Sequence, residues 1–436
     1  MAGTAEKPIL KLTLCVDPEK NKVVFADVGK DFVDVLFGFL ALPMGTIVRL
    51  LEKHKQNQPP IGCFNNLYKS VVDMDKDDFI TEASKGMLLY PRHVKEKQCR
   101  RLKLNIDDDM CNLMTEEFKV PEGGCDELFV TPKSAFIITE NMDEVKHASI
   151  ILAWRTLLRL GYNDLSMLKY MSVDVNHEEV ISLLHCLFSS ETPFTDVFLK
   201  KQISCGMTRL HDMPTLPVQD GGEAEAGSDG VLSLTVFVRK PDMKVLYAEG
   251  GQDFVDLLFI FLAIPLESVL EITGGNVELG CIGNFWRNMK SLSSSGGTNS
   301  MLPQHYGFHK SLLGVGYERN KLDVDVDDVE AISLLSATNT KSDLVAEHTL
   351  PVSSGFVKRG STFIISDDLI VTASNLSSTL GLLKKLDTDL NDIEEQVISI
   401  TGAEAINLLK ASLVTSTPLT TALGSLLLKN PKVESL

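Results

Sequence analysis

The residues best suited to catalysis or cation binding in this sequence are the aspartates of the motif Asp-Phe-Val-Asp, which occurs twice. Its two copies place Asp31 three positions before Asp34 and, later in the chain, Asp253 three positions before Asp256. At that spacing a helix brings both carboxylates to neighbouring positions on one face, where they can act as an acid and base pair or hold a hard cation. The alternative is that they cap the helix and line its solvated face, and their repetition favours this alternative.

A zinc site formed by cysteines in the first half of the chain is a second hypothesis. Cys99, Cys111 and Cys125, with His93 as a fourth ligand, offer the donor atoms that Zn²⁺ prefers. Their separations are irregular, whereas structural zinc sites usually present close ligand pairs. Zinc binding at these cysteines is therefore the weaker interpretation, and reduced thiols are the stronger one.

Two further cysteines, Cys63 and Cys281, each follow a glycine. A reactive thiolate needs a lowered pKa and a nearby base, neither of which a sequence shows, so a small buried residue after a turn is the favoured interpretation. The chain contains no phosphate-binding loop motif, no dinucleotide-binding glycine fingerprint and no nucleophile elbow. We therefore expect no cofactor.

The aspartate motif lies within a repeated stretch that must position it. Residues 10–43 return 222 positions later as residues 232–265, with 18 of 34 positions identical. Each copy begins with two runs of strand-forming residues separated by turn residues, which predicts a β-hairpin. An amphipathic helix follows, with a broad apolar face that includes Phe32, Leu36 and Leu40 in the first copy.

The repeat sets the expected domain organisation. We predict an α+β fold of two homologous tandem domains, at 9–202 and 231–430, each a β-hairpin followed by helices and further short strands. Glycine, alanine and acidic residues dominate 203–230, which predicts a flexible linker. We expect the two hairpin-and-helix units to pack as a pseudo-symmetric pair with a cleft between them, a favoured kind of ligand site.

Charge and composition narrow the classes of partner. The net charge of -17 and the pI near 5.0 disfavour nucleic acid and anionic membrane surfaces, which both require a cationic face. The sequence has no long uninterrupted apolar run that would span a membrane and no secretory signal at its start. We therefore expect a cytoplasmic protein with reduced thiols.

Several long motifs resemble a plant-specific family known as domain of unknown function six-seven-four. They are LKLTLCVD, NKVVFADVGKDFVDVLFGFLALPMGTIVRLL and FNNLYKSV in the first copy, and FVKRGSTFIISDDLIVT and EAINLLKASLVTSTPLT in the second. The resemblance covers nearly the whole chain and implies a plant source and a tandem arrangement, but it brings no catalytic residue. Members of that family often carry paired cysteines near the zinc candidates, whereas the cysteines here are single.

Two hypotheses for function remain. The first is a non-catalytic module that binds a small apolar metabolite or a protein partner, with a role in stress or defence suggested by the resemblance alone. The second is a cofactor-independent isomerase or cyclase that acts on an apolar metabolite in the cleft. Its candidate catalytic residues are Asp31, Asp34, Tyr68, Asp253, Asp256 and Trp286. An enclosed apolar cavity with convergent titratable groups favours the enzyme, and exposed apolar patches favour a protein partner.

Overall fold

A computed structural model describes residues 10–54, 60–91, 135–200, 232–294 without 276 and 278, 355–375 and 389–428, together with 381 and 384. The predicted linker at 203–230 lies outside the described residues. The zinc candidates Cys99, Cys111, Cys125 and His93 lie outside them as well.

The first copy builds an antiparallel sheet of five strands in the order β4-β3-β2-β1-β5. The strands are β1 (Leu10–Asp17), β2 (Lys22–Gly29), β3 (Ala135–Thr139), β4 (Val145–His147) and β5 (Lys169–Val175). The predicted hairpin is β1 and β2, and Asn21 turns between them with a φ of 48°, a conformation that asparagine tolerates better than most residues. A bulge between Cys15 and Val16 shifts the register of the two strands.

The second copy builds a sheet of the same topology, in the order β10-β6-β7-β8-β9. Its strands are β6 (Leu232–Arg239), β7 (Lys244–Gly250), β8 (Phe363–Ser366), β9 (Val371–Ala373) and β10 (Ile393–Ile400). The bulge recurs between Phe237 and Val238, 222 positions after its counterpart. The predicted α+β class and the two homologous copies are therefore confirmed.

The helices follow the repeat as well. They are α1 (Lys30–Ala41), α2 (Met44–His54), α3 (Phe64–Asp73), α4 (Glu82–Leu89), α5 (Ile150–Arg159), α6 (His177–Ser189), α7 (Gln252–Ala263), α8 (Leu266–Ile272), α9 (Ile282–Ser294), α10 (Gly402–Val414) and α11 (Pro418–Leu428). The last helical segment of the first copy is a π-helix, Thr195–Lys200, where the second copy has the regular helix α11. None of the helices in the described part of the chain is long and apolar enough to cross a membrane.

The two copies meet at the prolines that follow α1 and α7, the helices that carry the Asp-Phe-Val-Asp motif. Pro43 and Pro265 form an antiparallel bridge, although neither has an N–H to donate. The neighbouring residues supply the hydrogen bonds, from Met44 N to Ile264 O at 3.0 Å and from Leu266 N to Leu42 O at 2.9 Å. This reciprocal pair of bonds marks a local two-fold relation between the copies.

Each copy also lends one helix to the other. The first-copy helix α3 lies against the second sheet, where Ser70 Oγ accepts a bond from Val371 N at 2.9 Å. Asn66 Nδ2 of the same helix donates to Asp368 O at 2.8 Å. In the reverse direction, Asn288 of α9 donates to Met142 O of the first copy at 3.1 Å. The copies are therefore interlocked by exchanged helices.

The interlocked helices enclose a hydrophobic core that belongs to both copies. One continuous cluster of buried side chains runs from the inner face of the first sheet through α1, α2 and α7 to the inner face of the second sheet. Phe37 of α1 and Phe259 of α7 are both completely buried within it. In the described residues, a packed core occupies the contact between the copies, where the repeat predicts a cleft.

Candidate functional site

The four aspartates of the repeated motif divide into exposed and buried positions. Asp31 is exposed, with one carboxylate oxygen 3.5 Å from Lys30 Nζ, and Asp253 is exposed at the same place in α7. Asp34 is completely buried, and Asp256 lies partly buried one turn further along α7. One acid of each pair therefore points to the surface and the other points inward, so the two do not face one common site.

Asp256 is an acceptor for backbone groups of a distant segment. Its Oδ1 accepts bonds from Phe356 N at 2.7 Å and Val357 N at 3.1 Å, while Gln252 Nε2 donates to Oδ2 at 3.2 Å. Burial raises the pKa of Asp256 to about 6, against the lowering effect of these donors. The carboxylate anchors residues 355–357 to α7, which is a structural role; a catalytic role stays a prediction.

Tyr68 and Trp286 are the same repeat position, 218 residues apart, on the exchanged helices α3 and α9. Tyr68 is buried and its hydroxyl donates to Leu89 O at 3.4 Å. Trp286 is buried beneath Lys290, whose Nζ lies 4.8 Å from the ring centroid. The six candidate catalytic residues are thus three repeated positions distributed over four helices of the shared core.

Metal binding finds no support in the described part of the chain. No group of three or more His, Cys, Asp or Glu side chains lies close enough to hold a metal ion among those residues.

The glycine-cysteine pairs fix the points where the exchanged helices enter the other copy. Cys63 N donates to Ser412 O at 2.8 Å, and its thiol donates to Thr415 O at 3.2 Å. In the other direction, Cys281 N donates to Leu187 O at 3.1 Å. Burial raises the pKa of Cys63 to about 12 and that of Cys281 well above its usual value. Both thiols are therefore buried, and their raised pKa values and backbone contacts support a structural role.

A buried carboxylate in each copy ties the last helical segment to the sheet. Glu140 Oε1 accepts a bond from Thr195 N at 3.0 Å, and Thr195 Oγ1 accepts one from Val23 N at 2.8 Å. Asp367 accepts equivalent bonds from Thr420 N and Oγ1 in the second copy, at 2.8 and 2.7 Å. The sequence does not single out these two acids, because their partners are more than 50 positions away along the chain.

Burial raises the pKa of Glu140 to about 8 and that of Asp367 to about 6. The folded chain therefore keeps these two protons to a higher pH than the unfolded chain does. The stability that the two acids contribute is fully present below their pKa in the unfolded chain, and it is lost as the pH rises through their pKa in the folded chain. We expect the free energy of unfolding to fall by a few kcal/mol as the pH rises from about 4.5 to about 8.

Urea unfolding across this pH range measures the effect. Glu140→Gln is expected to remove about half of the fall above pH ~6, because the variant has no proton to lose there, whereas Glu267, whose pKa burial also raises to about 8, still loses its proton. The exposed Glu178→Gln serves as the matched control and should leave the pH profile as it is. A profile that Glu140→Gln leaves unchanged would contradict this assignment.

Apolar side chains stand exposed along one side of α5. Ile150 is 90 % exposed, Ile151 63 %, Trp154 58 % and Leu158 42 %. Positions 150, 154 and 158 are four apart and therefore form one row along the helix, which we call the α5 stripe together with Ile151. Four large exposed apolar side chains close together on one helix are uncommon on a protein surface and are typical of a binding site.

Hydrogen bonds on the opposite flank of α5 fix the direction of the stripe. Thr156 donates to Glu144 Oε2 at 2.9 Å, and Arg159 Nη1 donates to Asp143 Oδ2 at 2.9 Å, both beside β4. Leu157 packs on the outer face of the first sheet. Since successive helix positions differ by about 100°, the α5 stripe occupies the solvent side and the flank turned away from β4.

The residues that flank the α5 stripe are basic. The helix has no acidic residue, Ser149 caps its first turn by accepting a bond from Leu152 N at 3.1 Å, and its two charges are Arg155 and Arg159. Arg155 is exposed next to the stripe, whereas Arg159 is held by Asp143 and Glu144. The chain as a whole carries a net charge of -17, so this apolar and basic helix differs from the bulk of the protein.

The sequence indicates the helix but not its exposed side. The pattern predicts a helix carrying Trp154 from His147 to Leu160, and apolar residues occupy most of its positions, so it does not say which face is buried. The signal is an excess of apolar residues beyond what one buried face requires. The corresponding stretch of the second copy, 374–385, contains no aromatic residue.

Comparison with known proteins identifies the family. A family model described as "Protein of unknown function (DUF674)" matches residues 6–114 and 109–403. Comparison with curated proteins and with solved structures gave no match. The matched segments cover most of the chain and include both copies of the Asp-Phe-Val-Asp helix together with the exchanged helices. The chain therefore belongs to the DUF674 family of proteins of unknown function.

Proposed function

We propose that this protein is a non-catalytic interaction module that binds a protein partner through the α5 stripe. The observation that carries the proposal is the row of exposed apolar side chains formed by Ile150, Trp154 and Leu158. Desolvating them against a partner yields roughly 25 cal/mol per Å² of apolar area, and an accessible tryptophan is a frequent energetic centre of an interface. A role in stress or defence remains a proposal on the family resemblance alone.

The chemistry of the stripe indicates the kind of partner. The α5 stripe has an apolar side chain at every fourth position of an exposed helix. Such a surface is complementary to another helix that carries an apolar row of its own. Arg155 borders the row and α5 has no acidic residue, so acidic side chains beside the partner's apolar row complete the fit. We therefore expect an acidic amphipathic helix as the bound element.

The described acids favour binding over catalysis. Asp256, Glu140 and Asp367 each accept bonds from backbone N–H groups that they hold in place. Positions that recur in both copies of a repeat serve the fold shared by the copies more readily than a single reaction. The alternative, a cofactor-independent isomerase or cyclase that acts on an apolar metabolite, rests on Asp31, Asp34, Tyr68, Asp253, Asp256 and Trp286.

Substitutions in the α5 stripe are expected to abolish binding without loss of stability. Trp154→Ala and Ile150→Asn each remove exposed apolar area, so the free energy of unfolding should change by no more than about 0.5 kcal/mol. Affinity for the partner should fall at least tenfold, as for an interface centre worth about 1.4 kcal/mol or more. Leu390→Ala, which alters a 69 % exposed residue of the second copy, is the matched control and should bind normally.

The partner is found by photo-crosslinking from the stripe itself. A benzophenone amino acid at Ile151, and a second one at the exposed control position Glu178, are irradiated in an extract of the source tissue, and the adducts are identified by mass spectrometry. The partner is then purified, and its dissociation constant is measured for each variant. Normal binding by Trp154→Ala and Ile150→Asn would refute the proposal.

The enzyme alternative has its own test. The purified protein is incubated with a metabolite extract beside a heat-inactivated control, and free and retained compounds are quantified by mass spectrometry. Products that accumulate with time, and that disappear in Asp256→Asn, would support the enzyme and overturn the interaction module.

A further inference from the structure

The outer edge of β5 differs from the equivalent edge of the second sheet. β5 and β10 occupy the same position in the two sheets, and among the described residues no strand pairs with the outer edge of either. Residues 169–171 of β5 are Lys, Tyr and Met, whereas residues 394–396 of β10 are Glu, Glu and Gln. Charged residues on an edge strand oppose pairing with another chain, so this stretch of β10, with two like charges, opposes pairing more strongly than that of β5, where Lys169 is the one charged residue.

Both faces of β5 are incompletely covered. On the core-facing side, Met171 pairs with Leu14, which is completely buried, yet Met171 is 38 % exposed. On the outer side, Tyr170 pairs with the buried Cys15 and is 63 % exposed. In the described part of the chain, the hydrophobic core and the outer face therefore both end at the edge of β5, where one further strand extends them.

From this geometry we infer that β5 pairs antiparallel with β5 of a second copy of the chain. A two-fold axis through Ser172, the middle residue of the strand, joins the two sheets into one of ten strands. Met171 then lies opposite the partner's Val173 on the core-facing side. Tyr170 lies opposite the partner's Asp174, and Lys169 opposite the partner's Val175. No charged residue faces a like charge, so the strand is complementary to itself.

The charge around this edge permits two copies to meet. β5 carries one Lys and one Asp, Lys169 and Asp174, so the strand itself is neutral. The equivalent strand β10 carries two Glu and no Lys or Arg. Two chains that each carry a net charge of -17 repel one another over most of their surface, and the β5 edge is a place where that repulsion is absent.

Sedimentation velocity of the full chain tests the inference. We expect a concentration-dependent dimer of twice 48.0 kDa, because seven paired residues form a modest interface. The triple variant Lys169→Glu, Tyr170→Glu, Met171→Gln gives β5 the edge residues of β10. Its dimer dissociation constant should rise by about tenfold or more. Its fold should persist, since β10 carries these residues at the same place.

Three further variants make the test specific. The reverse change on β10, Glu394→Lys, Glu395→Tyr, Gln396→Met, creates a second open edge and is expected to yield assemblies larger than a dimer. Trp154→Ala should leave the dimer intact, which separates this edge from the α5 stripe. Ser172→Cys should form an intermolecular disulfide with oxidised glutathione above the background of the unaltered chain, because residues on the two-fold axis face each other at bonding distance.

Two results would overturn the inference. One is an unaltered chain that stays monomeric at every concentration. Binding of an extended peptide of another protein at β5, without a dimer of this chain, counts as this result. The other is a dimer that the triple variant of β5 leaves unchanged. Neither result bears on the binding of a partner by the α5 stripe, so the two proposals fail separately.

Discussion

Alanine at Gly62 is expected to cost roughly 3 kcal/mol or more of the free energy of unfolding, the largest effect of any single substitution we consider. Gly62 has a φ of 49°, and a Cβ placed there would lie 2.1 Å from Ser412 O and 2.6 Å from Leu413 O. Those atoms are backbone of α10 in the other copy, so they cannot rotate away as a side chain would. The substitution therefore forces the start of the exchanged helix α3 away from the backbone of α10.

The second copy supplies a repeat of the same experiment and a control. Gly280 has a φ of 50° and a Cβ there would approach Leu187 O to 2.7 Å, so Gly280→Ala should also destabilise the protein, but less than Gly62→Ala. Gly274 has a φ of 74° with nothing within 4 Å of the added carbon. Gly274→Ala thus isolates the backbone strain, about 1–2 kcal/mol. Chemical denaturation measures all three, and equal losses at Gly62 and Gly274 would contradict the close approach.

Neither half of the chain is expected to fold alone. Expressed separately, 1–202 retains α3 but lacks the second sheet on which α3 packs, and 231–436 retains α9 but lacks the first sheet. Each half also exposes its side of the continuous core, which no longer has a partner. We expect the separate halves to show no cooperative unfolding transition, and the mixture to regain one near that of the intact chain.

Cleavage of the folded chain provides the control for this experiment. A protease site placed within 203–230 removes the covalent connection after the copies have assembled. The two fragments should continue to elute together from a sizing column, because exchanged helices and a shared core hold them. A half that unfolds cooperatively by itself would show that the copies are independent domains and would contradict the shared core.

Local structure is predictable where the sequence pattern has one structural solution. The hairpin of β1 and β2 and the helix after Gly29 follow from strand-forming runs, turn residues and an apolar face. The pattern puts Asp31 at the helix start, and Asp31 lies in the first turn of α1, which begins after Gly29. The sequence also predicts a strand at Phe136–Thr139, and β3 extends it by one residue.

The assignment of partners is not predictable in the same way. The apolar side of α3 shows that the helix packs on a core, but either sheet satisfies that pattern equally well. Only the folded chain shows that Asn66 and Ser70 reach Asp368 and Val371. The glycine before Cys63 is visible in the sequence, and the structure supplies its reason, which is the close approach of the backbone of α10.

The candidate site, too, has features that the sequence indicates and features that only the folded chain shows. The sequence directs attention to repeated acids and aromatic residues, and the structure places those residues in shared structural positions. The sequence does not identify the α5 stripe, because Trp154 and its neighbours look the same in a sequence whether the helix is buried on one face or on all of them.

The sequence alone determined that this chain contains two copies of one α+β unit, since period, turn residues and apolar spacing act over a few neighbouring residues. The tertiary structure alone decided which copy each helix joins, which acids are buried and which apolar row remains exposed. Those features depend on contacts between residues hundreds of positions apart, such as Asn66 with Asp368. Burial and exposure are set by those distant contacts, and no local pattern of residues encodes them.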